Sequence, residues 1–110
     1  MFTPVFNHSS IYTLKESVSY ADGAVVSKIV TKNGAGNVTL FAFDAGQNLS
    51  KHSAPFDAII QILDGKGRIT IDDKEFILEE NQMIIMPANI PHAVDADERF
   101  KMMLIMIKEK

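Results

Sequence analysis

MIIMPANIPHAV, Met83–Val94, places two short apolar runs on either side of a turn that holds two prolines. Met83–Met86 reads as a strand that stops at Pro87, since proline has no N–H to continue a ladder. The chain passes Pro91 and resumes as His92–Ala96 (HAVDA), where apolar and polar residues alternate. Period two marks a strand with one buried face. The stretch is strand, turn, strand, and a histidine opens the second strand.

The same grammar extends in both directions. Ala24–Thr31 (AVVSKIVT) is rich in β-branched residues and is followed by a turn at Asn33-Gly34-Ala35-Gly36. Val38–Phe43 (VTLFAF) closes at Asp44-Ala45-Gly46. Ala58–Leu63 (AIIQIL) runs into Asp64-Gly65-Lys66-Gly67, a glycine-rich segment that predicts another turn. Arg68–Asp72 (RITID) alternates with Ile69 and Ile71 on one face, and Asp72-Asp73-Lys74 predicts the turn into Glu75–Leu78. Phe100–Ile107 (FKMMLIMI) comes last. About eight strands at a spacing of roughly 8–12 residues predict an all-β sandwich or barrel. Ser10–Tyr20 has room for a turn or a short helix. Residues 1–21 read as an N-terminal arm and residues 22–110 as the barrel domain.

Two runs, Ala58–Leu63 and Met102–Ile107, are apolar on both faces. A strand of a lone antiparallel barrel keeps one face polar. Something must cover the outer face, either the arm or a second subunit, and a homodimer is the economical expectation.

Composition narrows the function classes. The chain has 110 residues, 46% of them apolar, enough for one core. It has no cysteine, which excludes disulfides, thiolate catalysis and cysteine zinc sites. The net charge is −3 and the basic residues are scattered, so no nucleic-acid surface is expected. The first residues, MFTPVFNHSS, lack the basic and apolar regions of a signal peptide, and no window approaches a membrane span. The expectation is a soluble, cytoplasmic, single-domain protein.

With strands, turns and histidines placed, the chain resembles the cupin superfamily. That family's first motif is Gly, five residues, His, one residue, His, three or four residues, Glu, six residues, Gly. Gly46, His52 and Gly65 fall on this spacing, while Ala54 and Ala58 stand where the second histidine and the glutamate would be. In the second motif Pro87 and His92 match, Asn81 and Asn89 occupy glycine places, and Ala96 replaces a final asparagine. Asparagine tolerates left-handed backbone angles better than most residues. The resemblance spans about residues 36–107. It implies a small antiparallel double-stranded β-helix, the RmlC-like jelly-roll barrel, with a short N-terminal arm.

It also implies a site. In the family the two histidine places, the glutamate and the later histidine converge on one metal ion, and here only His52 and His92 remain. A stable mononuclear site usually has at least three protein ligands. Asp57, Gln61 or His8 would have to complete it for iron, manganese, nickel, copper or zinc. Each histidine also has an ordinary structural reading, as a partly buried side chain bonded to backbone near a turn. A ligand pocket around His52, His92, Ala54, Ala58, Ile60, Phe41 and Met86 is the expected functional feature. Methionines at 83, 86, 102, 103 and 106 are core or an adaptable pocket wall, to which Phe43, Phe56 and Ile62 can add. Tyr12 and Tyr20 both precede the barrel, which weakens a histidine–tyrosine acid–base pair. Three functions follow: a binding protein for a small organic ligand, a metal-dependent dioxygenase or isomerase with an incomplete site, or a bare dimerisation scaffold.

Overall fold

The computed structural model describes residues 6–108. Eight antiparallel strands follow a short 3₁₀ turn at Leu14–Glu16: β1 Val25–Asn33, β2 Gly36–Phe43, β3 Asn48–His52, β4 Ala58–Ile71, β5 Lys74–Glu79, β6 Met83–Met86, β7 His92–Asp95 and β8 Phe100–Ile107. The sheet runs β1-β2-β8-β4-β7-β3, with β5 and β6 also paired to β4. The expected all-β cupin-type barrel is what the chain forms.

β4 corrects one expectation. Asp64-Gly65-Lys66-Gly67 is no turn but the middle of a single strand of 14 residues. Residues 58–65 pair with β8, and 58–61 also with β6. Residues 66–71 pair with β5, and 68–71 also with β7. The strand thus passes from one sheet into the other. A bulge between Ile62 and Asp64 and a left-handed Gly65 (φ 73°) make the bend. Bulges and glycines commonly serve as such barrel corners. Ile62 is buried inside the barrel, and Leu63, on the opposite face, is buried beneath the arm.

The interior is filled by alternate residues of facing strands, among them Phe43, Ile60, Ile62, Ile69, Val94, Phe100 and Met102. Phe43 and Phe100 stack almost parallel at 4.6 Å. The expected asparagine substitutes behave as glycines: Asn81 and Asn89 have φ of 70° and 65°.

The arm folds back on its own barrel. Val18, fully buried, packs with Leu40, Ala42 and Leu63, and Phe6, Leu14 and Tyr20 extend the cluster. Burying one such side chain contributes about 1.5–3 kcal/mol. Polar contacts fix where it lands. The Tyr20 hydroxyl donates to Asp64 Oδ2 at 2.6 Å, and Lys15 Nζ lies 2.8 Å from Glu80 Oε1 and 3.4 Å from Asp64 Oδ1. Lys101 Nζ donates to the Lys15 carbonyl at 2.6 Å. Tyr20, and then Lys15, hold the Asp64 carboxyl below the usual carboxylate range. Burial and that carboxylate push the Tyr20 hydroxyl up, so it stays a donor.

Candidate functional site

β3 and β7 pair in antiparallel fashion, and their register sets His52 opposite His92. The two rings meet edge to face with centroids 4.5 Å apart. Each is anchored through the same atom. His52 Nδ1 lies 2.8 Å from the Ser50 carbonyl oxygen, and His92 Nδ1 lies 3.3 Å from that of Ile90. A carbonyl only accepts, so each Nδ1 carries a proton, and in a neutral ring that leaves Nε2 with the lone pair. Burial, with His52 adding to it, holds His92 below the ordinary imidazole range and keeps it neutral near pH 7.

The pair stands at a mostly apolar cavity inside the barrel that is open to solvent on one side. Leu49, Ala54, Ala58, Ile60, Met86, Val94, Met102, Leu104 and Met106 complete the lining. The cavity volume is about 60 Å³. That is space for about two waters, taking water at roughly 30 Å³ each. His92 is buried, whereas His52 is exposed and stands where the cavity meets solvent.

Six of the seven expected pocket residues line this cavity. Phe41 does not. It is half-buried and stacks on Phe43 at 5.9 Å, as part of the core. The expected extra metal ligands all lie outside this cavity. Asp57 is exposed, and its Oδ1 accepts the Ala88 N–H at 2.8 Å, fixing the turn after β6. Gln61 lies on the outer parity of β4, between inward Ile60 and Ile62, in register with Met83 and Met103. His8 lines a separate groove between the arm and β1 with Tyr12, Ile29 and Lys32. Phe56 borders another surface hollow with Pro55 and Asp57. Met83 and Met103 face outward.

Leu49, Val94 and Leu104 were not anticipated. For Val94 and Leu104 the signal was present, since each lies two residues from a lining residue on its own strand. Leu49 had no such signal, because the register slips between Leu49 and His52 and breaks the period of two.

Among the described residues, no three His, Cys, Asp or Glu side chains gather as a metal-ligating group. The donors therefore do not fit the divalent metal that the family resemblance implies. Two imidazoles remain, and Ala54 and Ala58 offer methyl groups.

The structure is a barrel of two antiparallel sheets that share one bent strand, with a histidine pair at its cavity. The Cupin domain family model matches residues 39–108, and the chain belongs to the cupin family. A conserved protein of unknown function from Streptococcus pyogenes is 36% identical, with a TM-score of 0.90 over 94% of this chain and 91% of its own. A cupin 2 conserved barrel domain protein from Leptotrichia buccalis is 41% identical, with a TM-score of 0.85 over 88% of this chain and 47% of its own. A cupin superfamily protein from Desulfitobacterium hafniense shares the fold at 24% identity, with a TM-score of 0.89 over 99% of this chain and 100% of its own. No curated protein matches the chain significantly.

Proposed function

We propose that the protein is a binding cupin with no chemistry of its own, holding a small organic guest in the barrel cavity against His52 and His92. The observation that carries this is the pair of Nδ1-anchored imidazoles at one end of an otherwise apolar cavity. Two Nε2 lone pairs accept hydrogen bonds, and the neutral state of His92 disfavours an anion beside it. The guest therefore carries an uncharged donor, a hydroxyl or an amide, on a short aliphatic body. Cavities for drug-sized ligands are about 300–1,000 Å³, so this guest has only a few heavy atoms unless Met86, Met102 and Met106 swing aside. Methionine's unbranched chain permits that.

The metal-dependent enzyme reading is weaker, because the donors for a divalent ion are missing. The scaffold reading leaves unexplained why two anchored imidazoles share one apolar cavity.

The test is an NMR screen of short alcohols, amides and carboxylic acids, following the imidazole and methionine methyl signals. An alcohol or amide should shift both sets. His52→Ala and His92→Ala should keep the fold, and each should weaken binding by up to about tenfold, the worth of one hydrogen bond at roughly 0.5–1.5 kcal/mol. A preference for carboxylates sinks the reading, as does near-stoichiometric iron, manganese, nickel or zinc in protein purified without chelators.

We further propose a homodimer through the outer face of the sheet that contains β6, β4, β8 and β2. Ile85, Ile59, Ile105 and Val38 form one cross-strand row there, and Ile85 is 52% exposed. The arm cluster does not include them. Ile105→Lys should convert a dimer into a monomer in sedimentation velocity. A monomeric parent protein, or a variant that remains a dimer, would remove the proposal.

A further inference from the structure

β1 lies at one end of the sheet. It pairs with β2 along one side, and among the described residues no strand and no backbone group of the arm bonds to its other side. A free edge offers unpaired N–H and C=O groups to any chain that meets it. The groove between β1 and the arm follows this edge. Ile29, Val30, Thr31 and Lys32 all line it, and successive residues of a strand point to opposite faces. Ile29 is in register with the buried Thr39, and Thr31 with Val38 of the outer row. The groove therefore straddles the edge rather than lying on one face of the sheet. Its volume is about 760 Å³, and Phe6 and Tyr12 of the arm, edge to face at 4.8 Å, form part of its apolar wall. Ile29 adds to that wall and is 52% exposed.

Charge selects the occupant. Lys28 and Lys32 bracket Ile29–Thr31, and no carboxylate lines the groove. Among the described residues neither lysine has an acidic partner, whereas Lys15, Lys66, Arg68 and Arg99 are all paired. A second copy fits poorly. Two β1 strands paired antiparallel about Val30 would set Lys28 of each opposite Lys32 of the other, and like charges directly opposed are destabilising. The register with β2 slips between Ile29 and Thr31, so a regular ladder on this edge is short. At about 3.4 Å per residue, the stretch from Lys28 to Lys32 takes roughly five residues of a guest strand.

We propose that the edge of β1 docks an extended peptide segment of another protein, acidic at its ends and apolar between them. Its backbone adds a strand to the sheet, the mode known as β-augmentation. Its apolar side chains enter the groove against Phe6, Tyr12 and Ile29, and its carboxylates pair with Lys28 and Lys32. The groove shares no lining residue with the barrel cavity, so this site and the guest site stand or fall separately.

The probe is the end-blocked pentapeptide Glu-Val-Phe-Val-Glu, whose carboxylates have the spacing of Lys28 and Lys32. Titrated at millimolar concentration into the full, isotope-labelled chain, it should shift the amide signals of Ile29–Lys32 and slow the exchange of those that face away from β2. Lys-Val-Phe-Val-Lys should bind about tenfold more weakly, the scale of two exposed ion pairs. A Lys28→Glu, Lys32→Glu double variant should reverse that preference, and reversal rather than loss shows that the variant is folded. Ile105→Lys, aimed at the dimer face proposed above, should bind the acidic peptide as the parent does.

No shift with the acidic peptide would overturn the inference. So would equal binding of the two peptides, an unreversed preference in the double variant, or shifts confined to other strand edges. Outward amides of Ile29–Lys32 that are protected before peptide is added would also overturn it, because a second copy or the chain's own first residues would then fill the groove. Loss of binding in Ile105→Lys would put the groove inside the dimer contact, with the same result.

Discussion

Phe100→Ala should cost about 3–5 kcal/mol, the usual range for deleting a buried aromatic ring. Total stabilities of such domains run to about 5–15 kcal/mol, so the variant should sit near the edge of unfolding. Phe100 is fully buried at the start of β8 and stacks on Phe43 at 4.6 Å. Its ring also occupies space left open by a glycine. A Cβ built on Gly67 would come within 2.8 Å of the Phe100 ring. Deletion of the ring therefore leaves a cavity between the Phe43 ring and the Gly67 backbone, and the glycine has no side chain to fill it. Urea denaturation measures the loss. Phe41→Ala is the control, because Phe41 is only half-buried. If Phe100→Ala lost no more than Phe41→Ala, the Phe43–Phe100 stack would not be the centre of the core.

Gly65→Ala should be nearly as harmful, for two separable reasons. The residue has φ of 73°, and left-handed backbone costs a non-glycine residue about 1–2 kcal/mol. The new methyl would also lie 2.4 Å from the Arg99 carbonyl oxygen and 3.1 Å from Phe100 Cβ. Backbone cannot step aside as a long side chain does, and overpacking of this kind adds about 1–3 kcal/mol. Gly46→Ala isolates the first cause. Gly46 has φ of 86°, and a methyl added there would meet nothing within 4 Å, so only the backbone cost applies. Thermal unfolding of the two variants side by side should place Gly65→Ala well below Gly46→Ala. Equal losses would mean that β8 yields at Arg99 and that the corner of β4 is looser than its geometry implies.

That corner also shows what sequence can and cannot announce. Aspartate and two glycines in four residues are a genuine turn signal. What keeps Asp64–Gly67 within one bent strand is tertiary: Gly65 approaches the Arg99 backbone, and Gly67 makes room for Phe100. Neither partner is a sequence neighbour. By contrast, MIIMPANIPHAV carried its own instructions. Pro87 ends one strand, Asn89 takes the left-handed turn, and His92 opens the next strand at a fixed offset. For the cavity, the family resemblance set Ala58 inside the barrel, and a period of two from it reaches Ile60, whereas the run itself is apolar on both faces and names no inward side. Parity does not give height along the barrel, and Phe41, with its ring on Phe43, shows it. The Nδ1 anchoring of the histidines was not legible either, because the accepting carbonyls of Ser50 and Ile90 are placed by turns and register rather than by residue type.

The two histidines differ in how firmly the fold holds them. β7 is clasped between β3 and β4, whereas β3 has five residues and, among the described residues, pairs with β7 alone. Strands with so few hydrogen bonds are the ones that detach by local fluctuation long before global unfolding. His52 rides on such a strand, and His92 does not. The cavity thus has a fixed wall and a wall that can lift. An occupant held by both histidines should leave faster when β3 is weakened, while the walls on β4 and β7 set what fits. Substitutions in β3 away from the cavity would alter how long an occupant stays without changing what the cavity selects.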